Sequence, residues 1–292
     1  MKNENIRSLL GIFLIVIIGV GVALAGSQGG FRVGSIPLFA LGVGLAFFIQ
    51  WMVFIHAYLN QTEKFFDLTG SLTYITVTIL ALLLSPVKDA RAILLVGLVL
   101  VWAARLGSFL FLRIKAAGED RRFRELKTSF SRFLLTWTLQ GLWVTFSLAA
   151  ALAVITSQNR VDFGIFGVIG LLVWMVGFGL ESIADSQKSK FRADPANAGK
   201  FINTGLWAWS RHPNYFGEIV LWLGVAIIAL PVLSGWQWVT MISPIFVFLL
   251  LTRISGVPML EKRADEKWGG EPDYEAYKTK TSVLVPLPPK GE

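Results

Sequence analysis

Residues Ser210–Glu218 read SRHPNYFGE, and Ile219–Leu233 directly after them read IVLWLGVAIIALPVL. The second stretch decides the fold. Crossing a hydrocarbon core takes about 20 predominantly apolar residues, and this charge-free run is one of a series at 8–25, 35–59, 69–86, 91–112, 133–156, 163–183, 219–235 and 237–252. The 292 residues are 54% apolar and 16% charged, with a mean hydropathy of +0.61, which is a membrane composition. Lipid offers the backbone no hydrogen-bond partner, so such runs are satisfied only as helices. The expectation is an all-α polytopic bundle of seven to eight transmembrane helices, the lower number applying if the last two runs form one hairpin broken at Pro231 and Ser234-Gly235.

The first run follows Lys2 and Arg7 as a signal peptide would, but its length and the equally apolar remainder make it a helix. No repeat, low-complexity linker or composition break marks a second domain. The chain reads as one integral membrane domain over 1–292, with a monomer as the expectation although no residue pattern speaks to the oligomeric state. Residues 1–114 would form an apolar substrate chamber; residues 115–292, richer in ionisable groups, would hold something polar and anionic.

With eight spans, 22 of the 27 Lys and Arg residues fall on the side of both termini, which the positive-inside rule makes cytoplasmic. The net charge of +8 is then explained by topology and anionic lipid headgroups, and no nucleic-acid partner is expected. The absence of cysteine excludes disulfides, thiolate zinc sites, iron–sulfur clusters and a cysteine nucleophile. With only His56 and His212, and no metal-ligand spacing, no metal is expected.

Gly19-Val-Gly21 and Gly42-Val-Gly44 lie within apolar runs, without the strand that a dinucleotide fingerprint needs, so close helix packing is their expected role. The polar chemistry is concentrated further on. Helical spacing puts Glu181, Asp185, Lys188 and Arg192 on one stripe at the membrane edge, either a salt-bridged helix exit or part of a site. A loop with Lys200 follows, then Arg211, His212, Pro213, Asn214, Tyr215 and Glu218. Pro213 ends one segment and can open the next helix, whose first turn would present a positive dipole. Arg suits phosphate as a fixed fork and Lys as a point charge, so these parts describe a pocket for a phosphorylated, nucleotide-like ligand.

The order Asp185-x6-Arg192, Lys200, Gly205-Leu-Trp and Asn214-Tyr-Phe-Gly-Glu218, with Tyr274 and Tyr277 before a Pro-rich tail, resembles the membrane steroid 5-alpha-reductase superfamily. FFDLTGS at Phe65–Ser71 and SRHPNYFGE resemble its bacterial DUF1295 branch, and the resemblance covers about residues 60–289. It implies NADPH-dependent reduction of a carbon–carbon double bond conjugated to a ketone, in a steroid or other lipophilic substrate; the bacterial branch implies an inner membrane. By position it implies NADPH contacts from Asp185, Arg192, Lys200, Asn214 and Glu218, with Arg105 and Arg113 adding polar contacts; Arg211, His212 and Tyr215 complete the candidate cofactor set. The family's carbonyl-polarising glutamate has its best counterpart in Asp67, and its tyrosine position holds Trp102. Val257–Glu261 replaces an expected His and Tyr near the adenine. The Arg-His-Pro-x-Tyr core is also similar to S-adenosylmethionine-dependent membrane methyltransferases of the isoprenylcysteine and phospholipid type, which is the alternative reading.

For a reduction, a group must donate to the carbonyl oxygen as charge grows there. Asp67, beside Phe65 and Phe66, is the first candidate, its other role being N-cap of the following helix. Tyr74, two turns along the same helix face, is the second. His56 and Tyr58 read as core or interface groups, Glu63 and Lys64 as solvated loop charges, and Gly118–Arg124 as a topology signal or a phosphate grip. Tyr274 and Tyr277 either close over the adenine or anchor at the interface.

Overall fold

The computed structural model describes residues 2–289. Among them the helices are α1 (Lys2–Gly26), α2 (Leu38–Leu59), α3 (Phe66–Leu84), α4 (Ala90–Ala117), α5 (Phe130–Thr156), α6 (Gly164–Ala193), α7 (Pro213–Ala229), α8 (Ile242–Leu249), α9 (Val257–Trp268) and α10 (Pro272–Lys280). A small antiparallel hairpin, β1 (Arg32–Val33) with β2 (Ile36–Pro37), joins α1 to α2. Seven stretches are long and apolar enough to cross a membrane. They are the spans of α1 to α6 and the run Gly235–Trp268, which strings together 3-10, α and π turns. Among the described residues α7 is a further apolar helix, shorter at 17 residues.

The polytopic helical expectation therefore holds. The break near Pro231 is a true interruption: α7 stops at Ala229, and the next helical turn opens at Gly235 behind Ser234, whose N–H donates to Gln237 Oε1 at 3.2 Å. Several helices outrun their apolar stretch. Thus α6 runs to Ala193, ten residues past the end of the apolar run at 183 and through the whole expected stripe, whose members find protein partners.

The chain forms two compact units. The first runs to Gly164 and takes in Ala229–Ser243; the second comprises Ile165–Ile228 and the chain from Pro244 on.

In the first unit α5 is the axis. It packs on α1, α2, α3 and α4, and 83% of its apolar window is buried against 28% for α1. Small residues at Ala149–Ala151 and Ala153 let neighbours approach from every side. Of the glycines assigned to packing, Gly19 faces the Phe47 ring and Gly42 faces Leu152 and Val77, whereas Gly21 and Gly44 meet no neighbour within 4 Å.

The connections of this unit are pinned by charge. Asp89 caps α4 by accepting from the Ala92 N–H (2.8 Å) and pairs with Arg160 (2.9 Å). Arg91 is 2% exposed and donates to the Asp162 and Phe163 carbonyls at 2.5 and 2.8 Å, tying the α3–α4 connection to the α5–α6 connection. At the other helix ends, Glu63 corrects the expectation of a solvated charge. It is buried, accepting from Lys127 Nζ at 2.7 Å and the Asp120 N–H at 3.0 Å. The reason is the fold of the α4–α5 connection, whose Phe123 enters an aromatic cluster with Phe54, Phe133 and Trp137 and carries its backbone over Glu63. Lys64 is exposed, as expected.

In the second unit α6 and α7 run antiparallel with their backbones touching. A Cβ on Gly177 would fall 2.6 Å from the Gly217 carbonyl oxygen, and one on Gly224 would fall 2.6 Å from Trp174 N. Gly170 and Gly177 on α6, and Gly217 and Gly224 on α7, are each seven residues apart. That is two helical turns, and so one face.

Candidate functional site

The glycine crossing builds the polar cluster of the second unit. Because α6 and α7 touch at Gly177 and Gly217, the next turns of α6 lie beside the first turn of α7. Asn214 Nδ2 there donates to Asp185 Oδ1 at 3.1 Å. The expected stripe does lie on one continuous helix, but its exposure is graded: Glu181 (1%) and Asp185 (6%) are buried, Lys188 is half-buried and Arg192 is exposed. Lys188 Nζ sits 4.1 Å from the centre of the Trp207 ring, a cation–π contact, and Trp207 Nε1 donates to the Ala184 carbonyl at 3.0 Å. Tyr215 and Glu218 are half-buried and Lys200 is exposed.

Arg211 and His212 are held from the C-terminal side. The chain at 282–287 runs along 209–211, with Arg211 N donating to the Ser282 carbonyl (2.8 Å) and Leu287 N to the Trp209 carbonyl (3.0 Å). The Arg211 guanidinium donates to the Lys278 carbonyl at 2.8 Å and pairs with Glu261 at 2.9 Å, while His212 Nε2 lies 2.7 Å from Glu261 Oε1. Burial holds the His212 pKa below its usual value, against the opposing pull of Glu261. The neutral ring donates from Nε2, since a carboxylate can only accept. That leaves Nδ1 as a buried acceptor with no hydrogen-bond partner among the described residues. The ring stacks on Tyr215, centroids 5.7 Å apart and planes at 10°.

Glu261 is the member of this polar cluster that sequence reading missed. Its segment was noted only as a departure from the family pattern, and no local spacing links it to residues about fifty positions upstream. Tyr274 and Tyr277 have protein partners. Tyr274 donates to Asp265 Oδ1 (3.0 Å) and Tyr277 to the Trp207 carbonyl (2.7 Å), and both rings pack on Phe201. Burial first, and Asp265 second for Tyr274, push both phenols above their usual range, so neither ionises near neutrality.

The first unit holds Asp67, Tyr74, Arg105 and Arg113. Asp67 is not a cap: the N-cap of α3 is Phe65, without a side-chain bond, and Asp67 faces Arg113 at 3.9 Å from the second helical position. The capping alternative fails because the helix starts one residue before it. Tyr74 is 5% exposed, donates to Ser147 Oγ at 2.8 Å and meets Trp102 edge-on at 5.1 Å. So the tyrosine and the Trp102 of the resembling position come together, with Ser147 as a third member that the sequence did not single out. Gln50, fully buried in α2, donates to Thr73 Oγ1 at 2.8 Å and was likewise missed, although a Gln inside an apolar run was a readable signal. Arg105 lies over the Phe109 ring at 5.8 Å.

Two concavities, about 170 and 210 Å³, belong to the first unit. One is lined by Asp89–Arg91 and Arg160–Phe163, the other by Lys64, Phe65 and the end of α4. Neither borders the polar cluster, and both are smaller than the roughly 300–1,000 Å³ usual for small-molecule sites.

Residues 53–281 match the model of a family described as a protein of unknown function, DUF1295. An uncharacterized protein of Schizosaccharomyces pombe is 30% identical over 149 residues, covering 44% of this chain and 41% of that protein, so the chain spans less than half the length of this relative. No solved structure matches.

Proposed function

The chain belongs to the DUF1295 family, and on that premise we propose that it is an NADPH-dependent membrane reductase acting on an enone double bond of a lipophilic, steroid- or isoprenoid-like substrate. The observation that carries the reading is the bond between Asn214 and Asp185 beside the first turn of α7, a carboxylate and an amide set where a helix end favours an anion. Asp185, Asn214 and Glu218 offer acceptors and donors to ribose and amide groups. The exposed Arg192 and Lys200 suit phosphates. NADPH, when bound, supplies the hydride, which no side chain here can provide. In the first unit, Asp67 and the Tyr74 hydroxyl are the groups able to donate to a carbonyl oxygen on which charge develops. The distribution of basic residues supports a cytoplasmic cofactor side.

One observation favours the second reading, an S-adenosylmethionine-dependent methyltransferase. Glu261 already neutralises Arg211 and hydrogen-bonds His212, so fewer cations await phosphate than the sequence count implied. Titration of the detergent-solubilised protein with NADPH, NADH and S-adenosylmethionine separates the two. Saturable NADPH binding, weakened by Arg192→Gln or Lys200→Gln at unchanged thermal midpoint, is the expected result. S-adenosylmethionine binding without NADPH binding replaces the reductase with the methyltransferase, and no binding of either leaves a non-catalytic membrane protein.

A further inference from the structure

The 210 Å³ slot at the adjoining ends of α3 and α4 has a chemistry that the proposed reaction does not use. Its walls are Phe65, Phe111 and Ile114, and Lys64 and Lys115 stand at its edge. The two rings are 6.4 Å apart between centroids and nearly parallel, and Phe65 is 41% exposed. Both α3 and α4 are long and apolar enough to cross a membrane, so a recess at their adjoining ends would fall near the headgroup boundary.

The charge around it is unbalanced. The carboxylates nearest in sequence are each engaged by another cation: Glu63 by Lys127, Asp67 by Arg113, Glu119 by Arg124 and Asp120 by Arg122. Among the described residues neither Lys64 nor Lys115 pairs with a carboxylate, and both are exposed. Lys115 lies in the last turn of α4, where helix carbonyls offset about half a charge at most. The edge of the slot thus carries more than one uncompensated positive charge beside an apolar wall.

We propose that this slot binds one anionic glycerophospholipid of the surrounding bilayer, its acyl chain against Phe65, Phe111 and Ile114 and its phosphate at Lys64 and Lys115. A zwitterionic lipid brings its own cation and gains nothing from the lysines; an anionic one gains both. The inference is independent of the reductase reading, since no residue of the slot belongs to the candidate cofactor or catalytic sets.

The test is native mass spectrometry of the full chain equilibrated with equal amounts of dioleoyl phosphatidylglycerol and dioleoyl phosphatidylcholine. The wild type should retain phosphatidylglycerol preferentially, as one tightly held copy. A lysine near anionic headgroups is worth about fivefold in binding, so Lys64→Gln with Lys115→Gln should weaken phosphatidylglycerol roughly 25-fold and leave phosphatidylcholine unchanged. Lys64→Arg with Lys115→Arg should keep the preference, and Phe111→Ala should weaken both lipids. In the wild type alone, raising salt from about 0.1 to 1 M shortens the screening length to about 3 Å and should erode the preference, which keeps the test open if a variant fails to fold. Equal retention of the two lipids, an unchanged preference in the double Gln variant, or displacement by millimolar inorganic phosphate would each overturn the proposal.

Discussion

The helical interior of the first unit and that of the second both contain polar side chains, but of opposite kinds. In the first they are neutral, most of them bonded to their own helix, with Gln50 bonding to Thr73 and Tyr74 to Ser147 between helices. Thr73, Thr78, Thr138, Thr145 and Thr156 donate to carbonyls four residues back, and the buried charges Glu63 and Arg91 are confined to helix ends. In the second they are ionisable: Glu181 and Asp185 are buried on α6, Asn214 of α7 donates to Asp185, and His212, buried before α7, meets the half-buried Glu261 of α9. A hydroxyl bonded to its own helix costs little in lipid, whereas a buried charge carries a penalty of several kcal/mol that only close pairing offsets. Packing alone accounts for the first interior. It does not account for the second, which is why the cofactor reading is placed there.

The contrast is broken most severely at Glu261. Glu261→Ala leaves Arg211 and the buried His212 without their shared partner; the half-buried Glu261 makes hydrogen bonds to charged or buried groups, whose loss costs about 1.5–3 kcal/mol, so the thermal midpoint in detergent should fall. Glu261→Gln keeps an acceptor for His212 and removes the charge, and should cost less than half as much. Equal losses for Ala and Gln would assign the whole effect to the Glu261 charge, and unchanged midpoints for both would mean that the network does not contribute to stability.

The next effect in size comes from Gly217→Ala. Its Cβ would meet Glu181 N at 2.5 Å and the Gly177 carbonyl oxygen at 2.6 Å, so α6 and α7 must part. Overpacking of this sort costs about 1–3 kcal/mol. Since the crossing also aligns Asn214 with Asp185, NADPH affinity should fall with stability, and a stable variant with intact affinity would detach the site from the crossing. Gly44→Ala, whose added methyl meets nothing within 4 Å, is the control and should be neutral.

A smaller effect is expected in the first unit from Tyr74→Phe. It removes one hydrogen bond to Ser147, while Ser147 keeps its bond to the Trp143 carbonyl, and such interhelical bonds in membranes are worth about 0.6 kcal/mol on average. Turnover is the discriminating readout. A tyrosine that donates to the reacting carbonyl should cost about 100-fold or more in kcat when truncated, and unchanged turnover reduces it to packing.

How legible all this was depended on the range of the interaction. The helices were readable because a backbone in lipid has one way to satisfy itself. The stripe Glu181 to Arg192 was readable because its members share a helix. Asp67 was misread as a possible cap because N-cap residues and first-turn acids are the same residue types, and only the helix start at Phe66 separates them. Glu63 was misread because a charge in a loop looks solvated until Phe123 brings the α4–α5 connection over it. Glu261 and Ser147 were invisible for the same reason. Each acts on a partner 49 or 73 positions away, and helical periodicity carries no information at that distance.

The smallest expected effect tests the protonation state on which the His212 geometry rests. Burial lowers its pKa below the usual 6.5, with Lys188 and Arg211 acting in the same direction and Glu261 opposing. The unfolded chain therefore takes up a proton near pH 6.5 while the folded protein does so only at lower pH, and between those values the unfolded state binds more protons. Stability from neutral His212 is complete above about pH 6.5, the unperturbed value, and is lost as pH falls through the folded pKa. His212→Gln keeps a neutral donor toward Glu261 and removes the titration. The wild-type thermal midpoint should thus drop more steeply than that of the variant as pH falls from about 7 toward 5, the range in which histidine titrates. Parallel slopes would mean that folding leaves the His212 pKa unshifted, and a shallower wild-type slope would mean that the folded ring is already charged at neutral pH, an ion pair with Glu261 whose Nδ1 is a buried donor in search of an acceptor.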